Sequence, residues 1–240
     1  MTLLHLILNS LAAVMGLSWT VLCALMVIVL SVFNIDLGHE IHHAWARVAL
    51  RIIGARVEYE RDDLLTVYPT AVLAPNHSSI FDILVLAALP YDFKWISKSE
   101  VGKVPFLGRA MTAMGFYFVK RDRSSRDLNT MTAVEAGLRA GVPVAIFPEG
   151  TRSLSGELLP FKKGAFRTAQ NAQVPILPIA ILGTNQIAPQ GKLPPRWGHR
   201  IVVKFGKPLT IPPNVPLDPY IDLCRQEILN LLQEGIEIPR

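Results

Sequence analysis

The sequence predicts an α/β fold: a mixed, largely parallel sheet flanked by helices, preceded by an N-terminal membrane-embedded helical segment. Three observations lead there. From residue 57 onward, short apolar runs of strand length alternate with amphipathic stretches of helix length, the pattern of a layered α/β sheet. The first 35 residues contain no Asp, Glu, Lys or Arg. Connections such as 183–199 are polar and rich in Pro and Gly, as surface loops are.

Leu3 to Phe33 is mostly apolar and longer than the roughly 20 residues a helix needs to cross a bilayer core. It is expected to be one spanning helix, or two embedded helices broken near Asn9-Ser10 or Gly16-Leu17-Ser18. A signal peptide is disfavoured, because no Lys or Arg precedes the apolar run and the run is too long. Residues 1–35 are therefore an expected membrane anchor and 36–240 one globular domain. His39, His42, His43, Arg47, Arg51 and Arg56 follow the anchor. That basic flank places the domain on the cytoplasmic side if the segment spans.

Residues 40–54 form an amphipathic helix in which Ile41, Trp45, Val48 and Ile52 share one face and His43, Arg47 and Arg51 another. It is either an interfacial helix on lipid or an ordinary domain helix. Strands are expected at Val57–Tyr59, Thr70–Ala74, Phe93–Ser97, Phe116–Val119, Val142–Phe147, Ile176–Leu182 and Arg200–Phe205. Helices are expected at 80–89, at 125–140 with Leu128, Met131, Val134 and Leu138 in register, and at 162–171. A last helix from about 217 has Asp218 as cap, Pro219 in first position and an apolar face of Leu217, Ile221, Cys224, Ile228 and Leu231.

Half of the 240 residues are hydrophobic, only 18% are charged, and the net charge of +5 falls entirely beyond residue 35. No groove-reading motif or aromatic ladder accompanies that charge, which leaves nucleic acid without support as a partner. Cys23 and Cys224 make no disulfide framework, so a reducing compartment is the easier reading. No metal-ligand spacing is present.

The chemistry concentrates in Asn76-His77-Ser78-Ser79-Ile80-Phe81-Asp82. The run before it, Ala71–Pro75, reads as a buried strand, and the run after it, Ile83–Leu89, as a buried helix that Ser78 or Ser79 can cap. His77 then lies on the strand-to-helix turn. Asp82 lies in the first helical turn, where free N–H groups favour a carboxylate. A His oriented by a buried Asp is the working part of a general base. No G-x-S-x-G nucleophile elbow occurs.

Two further strands end in cations: Gly115–Arg121, and Phe147-Pro148-Glu149-Gly150-Thr151-Arg152-Ser153. Ligand sites in open α/β sheets gather beyond the carboxyl ends of strands, so Arg121 and Arg152 are expected to converge near His77. Arginine forks suit phosphate. Gly150 lets backbone approach a ligand, and Lys98, on the turn Ser97–Glu100, is a third candidate cation.

Together these segments resemble the glycerolipid acyltransferase family. Its four ordered blocks are matched by Asn76–Asp82 (N-H-x-S-x-x-D), Gly115–Arg121 (G-x-x-F-[IV]-x-R), Phe147–Ser153 (F-P-E-G-T-R-S) and Val174–Pro178 (V-P-[IV]-[IVL]-P). The likeness covers about residues 70–185. It implies acyl transfer from a thioester, acyl-CoA or acyl carrier protein, to the free hydroxyl of a lysophospholipid, with lysophosphatidic acid as acceptor. No cofactor and no metal is required beyond that co-substrate. The resemblance implies His77 as base, Asp82 as its partner, and Lys98, Arg121, Glu149, Gly150, Thr151 and Arg152 around the substrate. Glu149 would order its loop or touch the glycerol. Membrane lipids are the expected surroundings, in a cell inner membrane with the domain facing the cytoplasm. The basic balance suits anionic lipid and an acidic carrier protein. The other readings are acylation of another lysolipid, such as a lyso-ornithine lipid, and a membrane-bound lipid-binding protein without catalysis.

Overall fold

Short runs of β-branched and small apolar residues, fully buried on both faces, supply the central strands, as in parallel sheets covered by helices on each side. The computed structural model describes residues 3–120, 125–153, 155–187 and 198–234. The N-terminal segment is one continuous helix, α1 (Leu3–Val32), followed by α2 (Gly38–Ile52). Then come β1 (Arg56–Glu60), α3 (Leu64–Val67), β2 (Val72–Pro75), α4 (Phe81–Ala87) and β3 (Lys94–Lys98). A 3₁₀ turn (Val101–Lys103) leads to α5 (Leu107–Ala113), β4 (Tyr117–Val119), α6 (Ser125–Arg139) and β5 (Val144–Ala145). The chain closes with α7 (Lys163–Ala172), β6 (Ile176–Leu182), α8 (Thr184–Ile187), β7 (Arg200–Phe205) and α9 (Asp218–Gln233).

The seven strands form one sheet in the order β1-β7-β6-β2-β5-β3-β4. Every described pairing is parallel except β6 with β7. A mixed, mostly parallel sheet is therefore what forms. Its central strand β2 lies between β5 and β6, and the chain leaves all three on the same edge. One core layer, with Leu73, Val85, Leu86, Trp95 and Leu177, lies under α2 and α4. The other, with Val134, Phe166, Ile176 and Ile228, lies under α6, α7 and α9.

Several elements depart from the expectation. The strand at 142–147 keeps only Val144–Ala145 in the ladder, because Pro143 has no N–H to give and Phe147-Pro148 turns away toward the site. Leu128 is exposed although Val134 and Leu138 are buried, so the apolar register of α6 begins later. Asp218 is the first residue of α9 rather than its cap, and its carboxylate pairs with Lys163 at 2.8 Å. The expected α9 face of Leu217, Ile221, Cys224, Ile228 and Leu231 is buried.

Helix α2 is packed on both sides. Its buried face is His42, Ala46, Ala49 and Leu50, shifted from the expected row of Ile41, Trp45, Val48 and Ile52. The small alanines let the domain come close. Toward α1, Trp19 Nε1 donates to Trp45 O at 3.1 Å, and Trp45 Nε1 donates to Thr20 Oγ1 at 2.9 Å. Toward the sheet, His43 Nδ1 donates to Ala87 O, and His39 and His43 both face Asp92. His42 is buried against the Trp45 and Phe116 rings, and burial pushes its pKa down to about 3. It is a neutral core residue and adds nothing to the basic flank.

Candidate active site

Three chain segments meet because β6, β2 and β5 are neighbours and all three release the chain on one edge. Asn76 extends the β2–β6 ladder with its side chain: its Nδ2 donates to Ile181 O at 3.1 Å and its Oδ1 accepts from Ile181 N at 2.7 Å. His77 follows at the point where the strand ends.

Asp82 is fully buried, in the first turn of α4. Its Oδ2 accepts from His77 Nδ1, Ser78 N and Ser79 N, each at 2.8 Å. Its Oδ1 accepts from Thr184 Oγ1 at 2.5 Å. Since the Thr184 proton is spent there, the 3.3 Å contact between Ser78 and Thr184 is donated by Ser78 Oγ. A chain of donors thus ends on one carboxylate, the kind of closed network that holds a single geometry. Neither Ser78 nor Ser79 is the cap expected from the sequence: Ile80 occupies that position without a side-chain bond, and Ser79 Oγ, one residue earlier, accepts from Phe81 N at 3.3 Å.

With Nδ1–H given to Asp82, the neutral His77 ring has its lone pair on Nε2. No described group bonds that atom. The ring lies face to face on Phe147, with centroids 3.8 Å apart and planes 18° apart. Trp95 stacks next to Phe147 at 5.9 Å. The ring is therefore fixed by a carboxylate at one end and an aromatic face beside it. It can accept a proton from a hydroxyl placed at Nε2.

The Phe147–Ser153 segment wraps the turn. Glu149 Oε1 accepts from His77 N at 2.6 Å and Oε2 from Leu159 N at 3.0 Å, while Ser153 N donates to His77 O at 2.8 Å. Glu149 is buried, and burial lifts its pKa to about 7 although both backbone bonds pull the other way. Its observed contacts order the loop. Gly150 has φ +70°, and an added Cβ would stand 2.9 Å from Lys162 Nζ. The backbone conformation favours glycine there, while a side chain would only have to push the flexible Lys162 tail aside.

Thr151 is exposed and Arg152 half-buried, one residue from the bond that Ser153 makes to His77. Lys98 is exposed at the end of β3, in the ladder opposite Val119 rather than on the following turn. Neither the Lys98 nor the Arg152 side chain has a hydrogen-bond or ion-pair partner among the described residues. Arg121 lies outside the described residues.

Two residues were not legible in the sequence. Thr184 follows β6 in a stretch whose Pro and Gly content predicts a surface loop, yet it is buried and bonded to Asp82. The sequence marks Lys162 only as the start of a helix. Its N–H donates to Pro148 O at 2.9 Å and its ammonium lies over Gly150. Among the described residues no group of three or more His, Cys, Asp or Glu side chains converges as metal ligands.

Known proteins share the sequence pattern and the fold of this chain. The acyltransferase family model matches residues 56–182. The chain is 32% identical to a 1-acyl-sn-glycerol-3-phosphate acyltransferase of Chlamydomonas reinhardtii, over 81% of this chain and 58% of that protein. It is 35% identical to a chloroplastic 1-acyl-sn-glycerol-3-phosphate acyltransferase of Arabidopsis thaliana, over 74% of this chain and 52% of that one. The chain spans about half the length of the curated relatives it matches. Its fold is that of the crystal structure of the 1-acyl-sn-glycerophosphate acyltransferase from Thermotoga maritima, with a TM-score of 0.76 and 21% identity over 95% of both chains.

Proposed function

The chain belongs to the acyltransferase family, and on that premise we propose that it moves a fatty acyl group from an acyl thioester to the sn-2 hydroxyl of 1-acyl-glycerol-3-phosphate, giving phosphatidic acid. The observation that carries this reading is the His77–Asp82 pair, its carboxylate fully buried and its Nε2 without a bonding partner among the described residues. The relatives named above for that reaction support the choice of acceptor.

In this mechanism His77 Nε2 takes the proton of the acceptor hydroxyl as its oxygen attacks the thioester carbonyl. Asp82 holds the tautomer and stabilises the imidazolium. The tetrahedral intermediate collapses by breaking the C–S bond, and the leaving thiolate takes the proton back from Nε2. An acyl-enzyme is unnecessary: the Ser78 hydroxyl is tied to Thr184, that of Thr184 to Asp82 and that of Ser79 to the α4 N-terminus, and Cys23 and Cys224 are buried. Such a base contributes typically about 10²–10⁴-fold. Arg152, Arg121, Lys98 and Lys162 supply positive charge for the acceptor's phosphate. The donor is acyl-CoA or an acyl carrier protein, and no cofactor or metal enters.

Helix α1 is long and apolar enough over Ile7–Val32 to cross a membrane, and most of that stretch is unburied. We assign it to the inner membrane, with the domain on the cytoplasmic side, so that a lipid acceptor need not leave the bilayer. The test is thiol release from acyl-CoA and from acyl carrier protein, with and without lysophosphatidate and a panel of other lysolipids. Release that depends on lysophosphatidate is expected. Release that requires a different lysolipid would reassign the acceptor, and none with any lysolipid would remove the activity.

A further inference from the structure

The segment between the 3₁₀ turn and α5 ends in an apolar tip that no described part of the chain covers. Val104 and Phe106 are 45% and 46% exposed, and Pro105 between them is exposed too. The tip is rigid. Gly108 N donates to Val104 O at 2.9 Å, and Ala110 N donates to Phe106 O at 2.9 Å. Gly108 lies so close to Gly102 that an added Cβ would meet Gly102 O at 2.0 Å. Phe106 pays for this clasp with φ +62°, a backbone conformation that side-chain-bearing residues rarely adopt. Strain of this kind is held in place where the projecting group has a use.

The surroundings say what the tip meets. Lys103 and Arg109 flank it, both exposed, and neither has an acid partner among the described residues. The clasp borders α1: Ile28, Ser31 and Val32 face Gly102, Gly108 and Arg109 across an open cleft of about 350 Å³. On the same helix Leu25, Val29 and Val32, one turn apart in succession, are exposed. The tip therefore projects from the segment that borders the α1 end of that uncovered apolar row, with Lys103 before it in the chain and Arg109 after it. Apolar groups ringed by Lys and Arg suit an anionic lipid surface.

We propose that Val104-Pro105-Phe106 is a second membrane contact, a wedge that enters the lipid interface beside α1 while Lys103 and Arg109 meet anionic head groups. It fixes the orientation of the domain as well as its attachment, because two separated contacts remove rotation about α1. The proposal rests on reading α1 as membrane-embedded.

The test places a nitroxide label at Phe106→Cys in the full chain, reconstituted in phosphatidylcholine–phosphatidylglycerol vesicles. Val29→Cys on α1 and Leu223→Cys on α9 are the references, and Cys23 and Cys224 are buried. Collision with oxygen and with a water-soluble nickel chelate gives depth. A label at 106 is expected to be shielded from nickel and open to oxygen, as at 29, whereas the label at 223 behaves oppositely. Acyl transfer in detergent checks that the labelled protein is folded. If Phe106→Cys disturbs the clasp, Val104→Cys gives the same depth reading. Labels at both 104 and 106 that behave like the one at 223 overturn the wedge. The reading at 29 then separates loss of the wedge alone from loss of the α1 assignment.

Discussion

Around His77 almost every polar atom has a partner, whereas the side-chain cations of Lys98, Arg152 and Lys162 on the neighbouring segments have no hydrogen-bond or ion-pair partner among the described residues. The turn is buried and closed: Asp82 receives four donors, Asn76 pairs with both backbone groups of Ile181, and Glu149 bridges two backbone N–H groups. The rim is exposed or half-exposed and open. The difference separates two tasks. Groups that move a proton are set in advance, so that no reorganisation is needed during reaction. Groups that hold a mobile anion wait for it. Damage to the turn should appear in kcat, and damage to the rim in the KM for acceptor.

Asp82→Asn is the largest break in this comparison. An amide can keep the ring in place by facing its NH2 toward Thr184, but it cannot offset the imidazolium charge. We expect kcat to fall roughly 10²–10⁴-fold with little change in acceptor KM. A loss confined to KM would erase the distinction between turn and rim.

Arg152→Ala and Arg121→Ala come next. A hydrogen bond to a charged group contributes about 1.5–3 kcal/mol, so lysophosphatidate KM should rise roughly ten- to a hundredfold at saturating donor. An unchanged acceptor profile in both variants would move the phosphate site elsewhere.

Thr184→Val is smaller. It keeps the shape and removes one donor from Asp82. A single hydrogen bond of typical net worth, about 0.5–1.5 kcal/mol, corresponds to a roughly two- to tenfold loss in kcat. Thr184→Ser should restore the rate. A Ser variant as slow as Val would mean that packing, not the hydroxyl, matters at this position.

Glu149 gives the mildest effect, and it is one of pH. Burial raises its carboxyl from 4.5 to about 7, so across that window the folded chain holds a proton that the unfolded chain has lost. Stability from this group is complete below about 4.5 and is lost as pH rises through about 7. In detergent, the melting temperature of the wild type should therefore fall relative to Glu149→Gln between those values and level off above them. Parallel curves would show that the buried carboxyl does not titrate there.

Legibility in the sequence followed the same division. The strands Ile176–Leu182 and Arg200–Phe205 were readable to the residue because their apolar runs are bounded by turn-forming residues. The His77–Asp82 spacing was readable because strand, turn and helix are local. Strand order is not local. Only the placement of β2 between β5 and β6 shows why Thr184 reaches Asp82 and why Phe147 stacks on His77. The α2 face was misread for a related reason: an apolar row with bulky residues marks burial on one side, but α2 is held between two partners and buries its alanines. Lys162 carried no signal of its own, and its place over Gly150 depends on how the loop after β5 folds back.

The most direct measurement is acceptor-dependent phosphatidate formation by His77→Ala, compared with the wild type at saturating donor and acceptor and at matched thermal stability. The ring is 13% exposed and its backbone bonds to Glu149 and Ser153 survive the substitution, so the variant should fold. We predict that turnover falls by at least the roughly 10²-fold expected for loss of a general base. Near-parental turnover from a folded His77→Ala protein would contradict the assignment of the dyad to acyl transfer.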